Sequence, residues 1–316
     1  MNARTQRQIE EMKKQTIGVE IEMNSITRSN AATIAAGYFG TDRHEGTAYR
    51  NGYDTYSAWD ASGREWKFSR DVSIAGPDSE KCELVTPILT YDDIPLLQGL
   101  VRMLRKAGAK SDASRGCGVH IHIGANGHTA QTLRNLANIM AAHEELLVDA
   151  LKLDRNSNRY GHYCQPVNHT FLDMLNRRKP TTMAALADIW YNGNGANYGR
   201  SQHYNDSRYH MLNLHATFTK GTVEFRLFQF APPANGKQNG LHAGKLKSYI
   251  QLCLAMSQMA KDLRSASPKE QQKENKVFAM RTWLMRMGFI GDEFATARET
   301  LTENLTGNAA FRFGRP

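Results

Sequence analysis

Cysteine is scarce. The 316 residues hold four, Cys82, Cys117, Cys164 and Cys253, far apart and with no pair at CxxC spacing. That excludes a disulfide framework and a thiolate zinc site, and reduced, buried thiols acting as small hydrophobes are expected. Long apolar runs are also missing. No stretch of the sequence approaches the length of a membrane span. Met1 to Gln15 is polar and charged and lacks the apolar core of a secretory signal, so a cytoplasmic protein with no membrane association is expected. Three catalytic signatures are absent as well. There is no GxxxxGK[ST], so ATP would not be held by a P-loop, no dinucleotide fingerprint after a strand, and no HExxH.

Apolar residues make up 41% of the chain, enough for a sizeable core. The formal charge is +9, spread along the sequence rather than massed in one tract. Such a surface favours anionic partners without defining a nucleic-acid-binding protein.

Residues 1–15 read as a short polar helix, and Ile17 to Met23 as a strand alternating apolar and acidic residues with period two. Residues 24–64 are polar and read as turns, short strands or a flexible insertion. Trp66–Ile74, Cys82–Leu89 and Gly118–Gly124 read as strands. Helices are expected after Asp92 up to Gly108, from Thr129 to about 152, over Thr181–Trp190 and over Lys245–Leu263. Asp154–Pro166 and Asn192–Asn205 read as loops. Tyr209–Phe218 and Thr222–Phe230 read as two strands joined by a turn at Thr219-Lys220-Gly221. A charged linker, Ser265–Asn275, precedes two short helices and a basic tail with Arg312 and Arg315. The domain reading is a catalytic domain over 1–264 and a C-terminal extension over 265–316.

Several strands share one peculiarity. Glu20 and Glu22, His120 and His122, Glu224 and Arg226, and Asn213 and His215 each stand two residues apart. Strand residues i and i+2 share a face, so each pair projects its polar groups together. One such pair is an ordinary solvated face. The combination is different, because these are the residue types that hold hard cations and phosphates. Clustered Glu20, Glu22 and Glu224 would repel one another without cations between them. Oxygen-rich sites suit magnesium or manganese. A fixed guanidinium such as Arg226 matches phosphoryl geometry.

Five segments carry a resemblance: Gly18-Val-Glu-Ile-Glu22, Cys82-Glu-Leu-Val-Thr-Pro-Ile-Leu89, Cys117-Gly-Val-His-Ile-His-Ile-Gly124, Arg208-Tyr-His-Met-Leu-Asn-Leu-His215 and Thr222-Val-Glu-Phe-Arg-Leu-Phe228. In this order, over roughly residues 16–255, they resemble the amidoligases of the carboxylate–amine ligase superfamily, which also holds glutamine synthetase and glutamate–cysteine ligase. The resemblance implies an α+β fold, a glutamine-synthetase-like antiparallel sheet with one polar active-site face and helices on the other. It implies ATP and Mg2+ (or Mn2+) as cofactors, with Glu20, Glu22, Glu83, His122 and Glu224 as metal ligands. Arg226, Glu224 and Asp71 would be catalytic, Asp71 binding metal or a substrate amine. Arg208, Arg159, His120 and Asn213 would bind nucleotide or substrate. The segment Gln229-Phe-Ala-Pro-Pro-Ala-Asn-Gly236 departs from the Asn-Gly-Thr-like turn of related sequences.

The expected reaction joins a small-molecule or peptide carboxylate to an amine through an acyl phosphate, with residues 24–64 and 191–206 as candidate lids. The basic charge also suits an anionic or nucleic-acid-linked substrate. Two rival readings come from other classes: a zinc hydrolase using His120 and His122 with nearby carboxylates, and a non-enzymatic nucleic-acid-binding protein.

Overall fold

The computed structural model describes residues 3–46, 52–232, 240–270 and 274–310. The elements in chain order are α1 (Ala3–Lys13), β1 (Ile17–Met23), α2 (Arg28–Phe39), β2 (His44–Gly46), β3 (Tyr56–Trp59), β4 (Glu65–Ser69), β5 (Cys82–Val85), α3 (Ile94–Lys106), β6 (Val119–Gly124), α4 (Ala130–Leu151), α5 (His169–Arg178), α6 (Met183–Gly193), β7 (Leu212–Asn213), α7 (His215–Lys220), β8 (Thr222–Phe228), α8 (Ala243–Asp262), α9 (Lys276–Arg286) and α10 (Ala295–Thr302). The fold is mixed helix and antiparallel sheet. Among the described residues no helix is long and apolar enough to cross a membrane.

The chain divides into two compact units. One comprises Thr16–His122 and Phe228–Lys247; the other comprises Met1–Gln15, Ile123–Leu227 and Ser248–Pro316.

In the first unit the strands run in the order β2-β3-β4-β5-β1-β6. The β2–β3, β3–β4, β4–β5 and β5–β1 pairs are antiparallel. The register of β1 on β5 sets Glu22 opposite Glu83 and Glu20 opposite Val85. Alternation in β1 works as its period predicts: Ile17, Val19, Ile21 and Met23 are buried in the core, leaving Gly18, Glu20 and Glu22 for the other face. Trp66, Phe68 and Leu84 join that core, as do Leu97, Leu100, Val101 and Leu104 on α3. Each fully buried side chain of this size stabilises by roughly 1.5–3 kcal/mol. A capping box between Thr90 and Asp93 starts the turn that leads into α3.

Residues 24–64 contain more order than their polarity suggests. Thr27 caps the twelve-residue α2, and its apolar stripe is made of Ala31, Ala32, Ala35 and Ala36, too small to signal a helix by hydrophobicity. β2 and β3 follow, and residues 47–51 lie outside the described set.

The second unit is largely helical. The Thr129 side chain accepts from Thr132 N and starts the 22-residue α4, as the sequence indicates. Leu133, Leu136, Met140 and Leu147 are buried on it. α5 packs on α4 and α6, and Gly193 at the end of α6 admits the backbone of α5: a Cβ there would fall 2.4 Å from Phe171 Cα. The pattern of residues 167–180 assigns no element to them, yet Asn168 caps α5 with two accepted backbone bonds. Three expected strands are corrected: β4 ends at Ser69 rather than Ile74, β5 ends at Val85 rather than Leu89, and the third gives way to a helix. Tyr209–Phe218 is a strand only at Leu212–Asn213; α7 occupies His215–Lys220. Asn213 Oδ1 accepts from Ala216 N, which turns the chain out of the extended form, and Gly221 at φ +71° closes the helix before β8.

Glu144, on α4, is buried and accepts from Val167 N at 2.9 Å. Burial pushes its carboxyl up to about 7, against the Val167 bond that lowers it and with help from Glu145. Between the ordinary carboxylate range and about pH 7 the folded chain keeps a proton that the unfolded chain loses. Stability therefore falls as pH rises through that window. Glu144→Gln keeps a carbonyl acceptor for Val167 and removes the charge. Thermal melts should show the variant several degrees more stable than wild type at pH 8 and indistinguishable from it at pH 4.5. Equal differences at both pH values would contradict the assignment.

Candidate metal centre and guanidinium cluster

The first unit collects the acidic and imidazole residues. Glu20 and Glu22 leave β1 on one face, Glu83 faces Glu22 from β5, and His120 and His122 leave β6. His120 Nδ1 stands 3.1 Å from Glu20 Oε2 and its Nε2 3.7 Å from Glu22 Oε1. His122 Nε2 is 3.2 Å from Glu20 Oε1. The backbone N–H of Gly118 donates to Glu22 Oε2 at 2.6 Å. Burial alone would push the Glu20 carboxyl up. His122 first, then His120, overcome that effect and hold it well below the usual carboxylate range.

Gly18 explains how His122 comes so close. It shares the face of Glu20 and Glu22, and a Cβ on it would lie 3.3 Å from His122 Cβ. The glycine is a spacer for the imidazole. A signal for it is present in the sequence: its i, i+2 phase with the two glutamates puts the one residue without a side chain on the polar face.

Two groups of potential ligand atoms result, each with all atoms within 4.8 Å of one another: Glu20, Glu83 and His120, and Glu22, Asp71 and Glu83. Glu83 belongs to both. The donors are mostly carboxylate oxygen, and the second group is entirely so. This chemistry fits a hard divalent cation such as Mg2+ or Mn2+ better than zinc. Asp71 comes from a loop rather than a strand, and its Oδ1 accepts from Ser73 N and Ser73 Oγ at 2.7 Å. Cys117 lies beside the cluster, and burial followed by the Glu22 charge pushes its thiol up to about 12. All four cysteines are buried and free, which fits a structural role.

The second unit holds the expected guanidinium residues. Asn213 on β7 pairs with Glu224 on β8 and donates to its Oε2 at 2.5 Å; Arg226 Nη1 donates to Glu224 Oε1 at 2.5 Å. The ion pair is almost fully buried. Arg226 Nε reaches Tyr163 O, and Arg159 Nη2 donates to Arg226 O at 2.5 Å. Arg159 leads a π-helical turn, Arg159–Tyr163, inside the polar loop. Arg208 lies over Tyr204 at 5.4 Å and Tyr209 at 5.6 Å, and Arg226 over the same Tyr209 at 6.0 Å. His162 stacks on the Tyr209 ring itself, with centroids 5.7 Å apart. Tyr209, Tyr163 and His162 were not singled out by sequence pattern, since aromatics in a polar loop carry no periodic signal.

The structure therefore gathers Glu20, Glu22, Glu83, His120, His122 and Asp71 in one unit. It gathers Glu224, Arg226, Asn213, Arg159 and Arg208 in the other. His215 does not share a strand face with Asn213. It begins α7 and bonds Tyr191 Oη at 2.8 Å and Gln202 O at 3.0 Å, and burial lowers its basicity. Of the departing segment 229–236, residues 233–236 lie outside the described set.

Carboxylates and imidazoles are thus grouped on the adjacent strands β5, β1 and β6 of the sheet. The chain belongs to the amidoligase family: the family model described as "Putative amidoligase enzyme" matches residues 13–257, and that membership supports a ligase-type enzyme. A bifunctional glutathione synthetase from Pasteurella multocida superposes with a TM-score of 0.47 at 12% identity, covering 96% of this chain and 49% of that one. The chain thus spans about half the length of that protein, and so distant a likeness carries no argument. No curated protein matches the sequence.

The opposed carboxylates Glu22 and Glu83 give a direct test of cation binding. Like charges directly opposite across a sheet destabilise by up to about 1 kcal/mol. Without metal, Glu83→Gln should melt at or slightly above the wild-type temperature, by roughly 1–3 °C. Added Mg2+ should raise the melting temperature of wild type and leave the variant nearly unmoved. An undiminished Mg2+ response in the variant would remove Glu83 from the ligand set.

Proposed function

We propose that this protein is an ATP-dependent ligase that joins a carboxylate to an amine through an acyl phosphate, on a glutamine-synthetase-like catalytic sheet. The observation that carries the reading is the pair of ligand groups sharing Glu83, found in a chain of the amidoligase family. In this reading Glu20, Glu83 and His120, and Glu22, Asp71 and Glu83, hold Mg2+ or Mn2+, with His122 and Glu224 as further ligands implied by the family resemblance. Bound divalent cations neutralise triphosphate charge and align an in-line transfer.

The chain's own residues do the rest. A carboxylate resists attack by an amine because oxide is a poor leaving group, so it must first receive the γ-phosphoryl group. Arg226, whose planar fork is pre-oriented by Glu224, stabilises the charge that develops on the phosphoryl oxygens. Arg159, Arg208 and Asn213 bind nucleotide or substrate. Asp71 binds metal or receives the substrate amine. The loop 191–206 is the candidate lid that keeps water from the acyl phosphate, since the insertion 24–64 supplies α2, β2 and β3 to the fold. The net charge of +9 suits a substrate that is itself anionic, such as an acidic peptide or a nucleic-acid-linked acid.

The test is ADP release from ATP with Mg2+, screened against pools of amino acids, polyamines and peptides. Release should require both an acid and an amine. Glu20→Gln should lower it by two orders of magnitude or more, in line with the loss of a metal ligand or its support. Hydrolytic activity that ignores ATP and responds to zinc chelation would replace the ligase reading with that of a zinc hydrolase.

A further inference from the structure

The second ligand group has an uneven construction. Glu22 and Glu83 leave paired strands, whereas Asp71 arrives on the loop 70–76 between β4 and β5. That loop has little core of its own. Ile74 is buried, but Val72 is 73% exposed, and Asp71 bonds only within its own turn, to Ser73. What fixes the loop beside the strands is a set of polar contacts made by residues outside it.

Asn24 is the first of these. It follows Gly18, Glu20 and Glu22 in the same period-two series, one step beyond the end of β1. Its backbone is pinned by reciprocal bonds with Lys110: Asn24 N donates to Lys110 O at 2.8 Å and Lys110 N to Asn24 O at 2.9 Å. Its side chain, 6% exposed, donates from Nδ2 to Ala75 O at 2.8 Å. Arg115 is the second. Its Nη1 donates to Asn24 Oδ1 at 3.1 Å, which fixes the amide orientation, and its Nε donates to Asp112 Oδ2 at 3.0 Å. Ala75 N donates to Arg115 O at 3.0 Å. Gly116, at φ +68°, lets the two loops approach: a Cβ there would lie 3.3 Å from Ser73 O. The loop has other ties, Arg70 N to Tyr53 O at 2.7 Å and Lys81 Nζ to Val72 O at 3.2 Å, but these hold its entry and its outer rim.

We propose that Asn24 and Arg115 are positioning residues that deliver Asp71 to Glu22 and Glu83, so that occupancy of this second cation position depends on a side-chain clamp outside the ligand set. The inference rests on the metal-dependent reading above. One strand then supplies two ligands and, two residues further on, the amide that places a third. The group of Glu20, Glu83 and His120 stands wholly on strands, so the clamp should leave it untouched.

The measurement is Mn2+ binding to the metal-free full-length protein, read as loss of the free-ion signal in electron paramagnetic resonance. Wild type should bind two ions. Asn24→Ala and, separately, Arg115→Met should each weaken one of them about 10- to 100-fold, the range typical for supporting contacts around a metal, while the other keeps its affinity. Asp71→Asn should weaken the same ion, and adding Asn24→Ala to it should cost nothing further, since both act through one carboxylate. Arg115→Lys, which retains a donor toward Asn24, should recover part of the loss. Unchanged binding of both ions in Arg115→Met and Asn24→Ala would overturn the clamp and leave the ligase reading standing. Additive losses in the double variant would make Asn24 a general structural residue instead. No Mn2+ binding by wild type would remove both the clamp and the metal-dependent reading.

Discussion

The opposition of Glu22 and Glu83 across β1 and β5 is the constraint on which the rest of this unit depends. Two carboxylates in direct register repel, and the strand alternation that buries Val19, Ile21 and Met23 leaves them no other face to take. A one-residue slip of β1 would bury the glutamates and expose the core, so the apolar residues enforce the acidic cluster. Around it the chain adds what favours negative charge: the Gly118 N–H on Glu22 and the His120 and His122 rings on Glu20. The depressed carboxyl of Glu20 follows from those rings in spite of its burial. In the proposed reading a hard divalent cation is the further partner for these oxygen donors.

The other unit solves a different electrostatic problem. Glu224 and Arg226 are buried together, and such a pair costs desolvation that its attraction only partly offsets. Asn213 on Glu224 and the Tyr163 carbonyl on Arg226 add hydrogen bonds to the buried pair, which helps offset its desolvation. The result is a guanidinium with a fixed plane. Arg208 and Tyr209 extend the same logic, with two guanidiniums flanking one phenol ring. Rigid, pre-oriented positive charge is what charge stabilisation in phosphoryl transfer demands, whereas a lysine on a flexible stem would have to be ordered first.

Much of this was legible in the sequence where a period was long and pure. β1 begins and ends where its alternation does, and α4 starts at the Thr129 cap. The pairs Glu20/Glu22, His120/His122 and Glu224/Arg226 could be placed on strand faces for the same reason. The failures have physical causes. α2 hides because alanines form its buried stripe, and α5 because it is short and its buried face comes down to Phe171 and Leu175. His215 leaves the expected strand because the Asn213 side chain accepts from Ala216 N, a local turn that overrides the strand preference of Thr217 and Phe218. Which residue opposes which across strands is a matter of register, and no single strand encodes it. Hence the sharing of Glu83 between two groups emerged only from the fold.

The distribution of ligands between strands and loops has a consequence for how such a site can change. Strand-borne ligands are fixed by the core: moving Glu20 or Glu83 means moving Ile21 or Leu84, both fully buried. Asp71 is tied by an amide, a guanidinium and a few backbone bonds, each worth only about 1 kcal/mol net. A site assembled from both kinds of support can keep one cation position constant while the other varies in strength with the surrounding loops. Position-specific tuning then requires changes at residues such as Asn24 and Arg115, which carry no ligand chemistry themselves.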